Sequence, residues 1–339
     1  MSRDKKPDAF SVECQHLFFN NRPVVVIGMP RSGTTYLSHI LSLFADLYVF
    51  DDLYYLRELD ANHVDSLMSD LQLKNLNNFF SWQIKARVKH EANFEKPSIT
   101  SEQVDQMESI INNIFEGKNP PWALPMKEWL VRLSILRGAV NWGWKAPQDY
   151  MYLQKITESF PNAKFIHMMR DPRSVLASYK YLSGQDGSRL QYHPVIYAVY
   201  WRNSCRTINA FFSSNKGFEH FKLRFEDLTQ NLDRMLKDIA LFLELDAPTH
   251  IPAWRANSSF QEKKEKSALN GLETLICQYV CALEMRKNGY DLHKVSLRLP
   301  DLIFIWLISI RFLLYQFRRL LLNKTARVAV RRLFMSLTK

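Results

Sequence analysis

Val24-Val25-Val26-Ile27 is a continuous run of β-branched residues that breaks at Gly28 and gives way to Leu37, Ile40, Leu41 and Phe44 at helical spacing. The first pattern predicts a strand buried on both faces of a parallel sheet, the second an amphipathic helix. Similar apolar runs follow. Leu47-Tyr48-Val49-Phe50 ends at Asp51 and Asp52, Asn141-Trp142-Gly143-Trp144 ends at Lys145-Ala146-Pro147, Ala163 to Met169 ends at Arg170, and Phe221 to Phe225 runs into Glu226. Helical segments over Tyr152 to Phe160, Ser174 to Tyr181, and Glu226 to near Leu245 alternate with them. This order predicts an α/β fold of three layers around a central parallel sheet. Residues 53–140 are helical in composition and read as an insertion covering the site. The aromatic side chains scattered through it, Trp82, Phe94, Phe115 and Trp129, are expected in the core.

The turn between the first strand and helix, Gly28-Met29-Pro30-Arg31-Ser32-Gly33-Thr34-Thr35, carries the first chemistry. Its glycines let the backbone approach an anion, and the first amides of the helix point at it with the positive end of the dipole. The fold is therefore P-loop-like, with one departure. Thr34 stands where a nucleotide-binding P-loop has lysine, and the cation has moved to Arg31, whose fork holds oxyanions bidentately. In open α/β sheets ligands bind beyond the carboxyl ends of the strands, where Lys145 and Arg170 also lie.

Charge changes the picture at one end only. The net charge is +11, yet no acidic residue follows Asp301, and eight basic residues from Arg311 to Lys339 account for most of it. A nucleic-acid partner does not follow from such a distribution. Cys14, Cys205, Cys277 and Cys281 form no paired framework and read as packed, reduced thiols, with no metal site. Met1 to Asn21 is charged and lacks an apolar leader core, so the expected location is the cytoplasm. The expected organisation is a lead-in over 1–22, a catalytic domain over 23–295, and a basic amphipathic tail over 296–339. In the tail, Leu302 to Ile310 and Phe312 to Tyr315 flank Arg311, a stretch too short to span a bilayer cleanly. Three dispositions fit it: lying in an anionic membrane surface through 302–335, docking on the protein body or a dimer partner, or a tilted span to Leu322. The spaced basic residues favour the membrane surface, at the inner face of a membrane.

Pro30-Arg31-Ser32-Gly33-Thr34-Thr35 resembles the 5′-phosphosulfate loop of sulfotransferases, whose donor is 3′-phosphoadenosine 5′-phosphosulfate (PAPS). Ile166 to Ser178 resembles the 3′-phosphate motif of that family, and the layout is nearest the bacterial and tyrosylprotein branches. The resemblance covers roughly residues 23–292, including a closing Lys287-Asn288-Gly289-Tyr290. It implies that the loop residues Pro30 to Thr35 hold the donor at one end and Arg170 with Ser178 at the other. Lys145, in Trp144-Lys145-Ala146-Pro147, would hold the transferring group together with Arg31. Leu223-Arg224-Phe225-Glu226-Asp227-Leu228 is similar to a late family block that has tyrosine at Phe225, so Phe225 retains stacking on the donor without a hydroxyl. Ser258 and Ser259 fall in a segment similar to one near the donor phosphates.

The base is less determined by the resemblance. Cytosolic members place a histidine shortly after the lysine, whereas here Gln148 and Asp149 follow. The tyrosylprotein branch uses a glutamate after the second strand, where Asp52 stands. Asp52 can orient a hydroxyl and take its proton late in transfer. Asp51 is its neighbour, Asp149 its rival, and His63 and His193 are more distant candidates; His167, alternating into a strand, is expected to be packed. An Asp pair at a strand end can equally cap the next helix. The resulting expectation is PAPS-dependent, metal-free transfer of a sulfuryl group to a hydroxyl or amine, the tail pointing to a saccharide or glycolipid acceptor. A P-loop kinase is the enzymatic alternative, disfavoured by the missing Gly-Lys-Ser/Thr. A non-catalytic nucleotide-binding scaffold at a membrane is the other.

Overall fold

The structure, a computed structural model, describes residues 22–88, 98–185, 192–249 and 269–322. Cys14, Phe94, Ser258 and Ser259 lie outside the described residues. Five strands, β1 (Val24–Gly28), β2 (Leu47–Asp51), β3 (Asn141–Lys145), β4 (Lys164–Met169) and β5 (His220–Arg224), form one sheet in the order β2-β3-β1-β4-β5. Every pairing is parallel. From β1 the chain crosses to one edge and later to the other, so the crevice at the carboxyl end of β1 is the topological switch point.

Strand alternation explains the three layers. In β1, Val25 and Ile27 join the core on one face while Val24 and Val26 join the other. Tyr48 and Phe50 oppose Leu47 and Val49 in the same way. The first face is covered by helices including α3 (Asp70–Val88), α4 (Ser101–Phe115) and α5 (Ala123–Leu136), with Trp129, Trp142 and Trp144 at its centre. The second is covered by α1 (Thr34–Leu41) and α10 (Leu232–Leu243). A third cluster joins α7 (Pro172–Gln185), α8 (Pro194–Ser214) and α11 (Gly271–Lys287), where Cys205, Cys277 and Cys281 are buried free thiols. The remaining helices are α2 (Tyr55–Ala61), α6 (Leu153–Ser159), α9 (Phe225–Gln230) and α12 (Leu299–Leu322).

Three local expectations change. Phe225 opens α9 instead of closing β5, and Asn231 separates α9 from α10 where one helix was expected. The reason is local: Glu226 and Asp227 favour a helical first turn. Phe115 and Trp129 are core residues, but Trp82 is 64% exposed. The tail is also longer than its apolar runs imply. Arginine is a good helix former, so α12 continues through Arg311 for 24 residues. Leu299–Arg318, at mean hydropathy 1.5, is long and apolar enough to cross a membrane by length and composition. One flank of α12 rests on the body, with Ile308 buried, Phe304 under the Lys180 ammonium and Ser309 hydrogen-bonded to His193. Leu302, Ile303, Trp306, Leu313 and Phe317 remain exposed.

Asp149, in the 3₁₀ turn Pro147–Tyr152, is buried and accepts the Trp144 indole N–H at 2.9 Å. Burial pushes its carboxyl up from 3.8 to about 8, against the opposing effect of that hydrogen bond. The folded chain therefore holds a proton there that the unfolded chain releases near pH 4, and stability falls as pH rises from about 4 to 8. Asp149→Asn keeps an oxygen acceptor and removes the titration. Its thermal midpoint should gain on wild type by at least about 3 °C between pH 5 and pH 8.5; parallel melting curves would contradict this.

Candidate active site

The loop leaving β1 is pinned by two close approaches. A Cβ on Gly28 would stand 2.3 Å from the Met168 carbonyl oxygen of β4, and one on Gly33 would stand 2.3 Å from the Phe225 ring. Gly33 caps α1 in the left-handed region with φ 94°, and Arg31 also has positive φ, 75°. The Ser32 amide closes a turn on the Met29 carbonyl at 3.1 Å. Ser32 is fully buried, and its hydroxyl has no partner among the described residues. Buried polar atoms are ordinarily satisfied. An unsatisfied hydroxyl in a loop at a helix N-terminus fits an oxyanion site.

Beside the loop lies an ion cluster built from three strand and helix ends. Lys145, 1% exposed at the end of β3, donates to Thr35 Oγ1 at 3.2 Å and pairs with Asp51 Oδ1 at 2.8 Å and with Asp52 Oδ1. Ser38 donates to Asp51 Oδ1 at 2.6 Å. The other Asp52 oxygen, Oδ2, meets Arg87 Nη2 of α3 at 3.1 Å. Gln83 of the same helix clamps the turn, donating to the Asp52 carbonyl at 2.6 Å and accepting from the Tyr54 amide. Asp52 itself has φ 54°, a left-handed conformation that non-glycine residues adopt at local cost.

The opposite wall comes from β4 and α7. Arg31 Nε donates to Ser178 Oγ at 3.0 Å, bringing together residues expected at opposite ends of the donor. The Arg170 guanidinium lies 4.3 Å from the Phe225 ring centre, with Nη1 3.5 Å from the Arg31 carbonyl oxygen. Burial lowers its pKa, nearby Glu226 opposes this, and the arginine stays charged. Glu226 is a hub, accepting the Asp171 amide at 3.0 Å and the Tyr290 hydroxyl at 3.2 Å. Tyr290 follows the α11 C-cap Asn288 and the left-handed Gly289, so the late Lys-Asn-Gly-Tyr segment supports the wall from outside.

The structure thus brings Pro30 to Thr35, Asp51, Asp52, Lys145, Arg170, Ser178 and Phe225 to one crevice. Other candidates go elsewhere. Asp149 is committed to Trp144. His167 is buried, stacked on His220 and held well below the usual histidine range by burial. His193 anchors α12 through Ser309 and Phe312. His63 sits in the left-handed turn after α2. Sequence reading missed Ser38, Gln83, Arg87 and Glu226. Only Glu226 carried a local signal, as part of the block around Phe225. Among the described residues, no group of three or more His, Cys, Asp or Glu gathers as a metal site.

The family model described as "Sulfotransferase family" matches residues 23–249, which spans every wall of this crevice. The chain belongs to the sulfotransferase family. Among solved structures, the sulfotransferase domain of the Synechococcus PCC 7002 olefin synthase is similar over 85% of this chain and 99% of its own, with 19% identity and a TM-score of 0.51. That likeness supports the fold. A sulfotransferase domain from the curacin biosynthetic pathway covers 86% of this chain and 98% of its own at 16% identity and a TM-score of 0.42. A sulfotransferase from Mycobacterium avium covers 80% and 78% at 14% identity and 0.42. No curated protein sequence matches. This sulfotransferase therefore presents, at its sheet switch point, a glycine-bounded loop bearing Arg31, a buried lysine and a paired carboxylate.

Proposed function

We propose that this enzyme moves the sulfuryl group of PAPS, without a metal, to a hydroxyl of a saccharide or glycolipid. The observation that carries the reading is the contact of buried Lys145 with Thr35 of the loop on one side and Asp52 on the other. Transfer of this kind asks for positioning and for compensation of negative charge on the bridging and equatorial oxygens. The α1 amides, Ser32, Thr34, Thr35 and Arg31 would hold the phosphosulfate, and Arg170 with Ser178 the 3′-phosphate. Lys145 would neutralise the leaving oxygen. As the acceptor oxygen bonds to sulfur, the bond from sulfur to the 5′-phosphate oxygen breaks. The hydroxyl proton passes to Asp52, and adenosine 3′,5′-bisphosphate departs.

With radiolabelled PAPS and para-nitrophenyl glycosides as acceptors, turnover should persist in EDTA. Lys145→Ala and Asp52→Asn should each lower kcat by roughly 10²- to 10⁴-fold. A magnesium requirement, or a wild-type rate in Asp52→Asn, would contradict the proposal.

The glycolipid part rests on α12. Its exposed face carries Trp306, Leu313 and Phe317, and the chain beyond Leu322 adds Lys324, Arg327, Arg331, Arg332 and Lys339 without an acid. That combination suits the anionic surface at the inner face of a membrane. The full chain should float with phosphatidylglycerol vesicles, and a Trp306→Glu, Leu313→Glu double variant should bind about tenfold less or weaker still. Equal flotation of the two proteins would remove this support.

A further inference from the structure

Behind Asp52, between α2 and α3, lies a groove of about 560 Å³. Its aromatic side is made of Tyr54, Phe79 and Trp82, with the Trp82 and Phe79 rings 6.0 Å apart. Trp82 is largely exposed on a helix whose Phe80 is fully buried. Its position is therefore a groove wall and not a core element. Two guanidiniums, Arg57 and Arg87, line the same space against one carboxylate, Glu58. The groove joins the catalytic cluster through two side chains of α3: Gln83, which holds the Asp52 backbone, and Arg87, which holds the Asp52 carboxylate.

The ion pairs at Asp52 constrain what can enter. To act on an acceptor hydroxyl, Asp52 must free one oxygen. Lys145 at Oδ1 is buried and tied to Asp51 and Thr35, so it stays. Arg87 at Oδ2 is about one-third exposed and can turn into the groove. A displaced guanidinium there calls for a new anionic partner, because an arginine cannot lose its charge.

We infer that this groove is the acceptor subsite and that it takes a sugar ring bearing a carboxylate. The ring packs on Trp82 and Phe79, the carboxylate draws Arg87 away from Asp52, and the freed Oδ2 receives the acceptor hydroxyl. Arg87 thereby couples recognition of an acidic sugar to exposure of the base. Aromatic walls with a few convergent polar groups are the usual construction of small-ligand clefts. The inference rests on the donor-dependent transfer given as the proposed function, and the bisphosphate control in the test separates the two.

Calorimetry would measure binding of para-nitrophenyl β-D-glucuronide and para-nitrophenyl β-D-glucoside to the full chain saturated with adenosine 3′,5′-bisphosphate. Wild type should prefer the glucuronide by about tenfold or more, as a charge-assisted contact provides. Trp82→Ala should weaken both glycosides by about tenfold, the scale of a lost aromatic contact with its buried area. Arg87→Gln should remove the preference, so that the two glycosides bind with equal affinity; a preference retained in this variant would overturn the inference. Failure of wild type to bind either glycoside, equal affinities for the two, or wild-type binding by Trp82→Ala would overturn the inference. Titration of the bisphosphate alone into each protein is the control. If wild type failed to bind it while the glycoside pattern held, the donor reading would fall and the groove would stand.

Discussion

A buried ammonium organises the carboxyl end of the sheet. An isolated charge beneath the surface is costly unless paired and hydrogen-bonded, and Lys145 meets this demand with Thr35, Asp51 and Asp52. Those partners come from the start of α1, the end of β2 and the turn after it. Satisfying one side chain therefore sets three elements in register. The backbone repeats the tie: Asp51 and Lys145 are register partners, the Leu53 amide bonds to the Lys145 carbonyl, and the Ala146 amide bonds to Val26. The left-handed conformation of Asp52 follows from the same demand, since the chain must turn sharply to bring a second carboxylate back to one lysine. Removing one partner of such a group leaves the others uncompensated, whereas an exposed pair such as Arg234 and Asp238 could be lost almost silently.

The second wall is organised differently. Arg170 packs over Phe225, and Phe225 occupies the space that a side chain on Gly33 would need. Loop, strand end and helix start are thus locked by van der Waals contact as well as charge. The missing hydroxyl at Phe225 removes a hydrogen-bonding handle and retains the face that supports Arg170. Glu226 then couples this wall to the α11 C-cap through Tyr290, joining the loop region to a segment more than sixty residues later in the chain.

The strands and loop were legible because their cause is local. A strand buried on both faces must be apolar at every position, and Val24 to Ile27 can be read without knowing its neighbours. A loop passing within contact distance of β4 and Phe225 must carry glycine at Gly28 and Gly33. Arg87 and Gln83 were illegible for the converse reason. Both lie on α3, and their meaning comes from Asp52, more than thirty residues away, across a turn whose conformation no local pattern records. Trp82 was read as core because aromatic side chains usually are, and only the placement of α3 turns it outward. In the tail, the apolar runs were legible but their continuity was not, since Arg311 reads as an interruption while the helix passes through it.

On this account the crevice binds a sulfuryl donor through the arginine-bearing loop and a phosphate anchor at Arg170 and Ser178. The most direct measurement is calorimetry of adenosine 3′,5′-bisphosphate in EDTA, with wild type and Arg170→Ala. Micromolar binding to wild type that is lost in the variant is the predicted result. Absence of binding to wild type, together with binding of ATP and magnesium, would contradict the account and assign the loop to a nucleoside triphosphate.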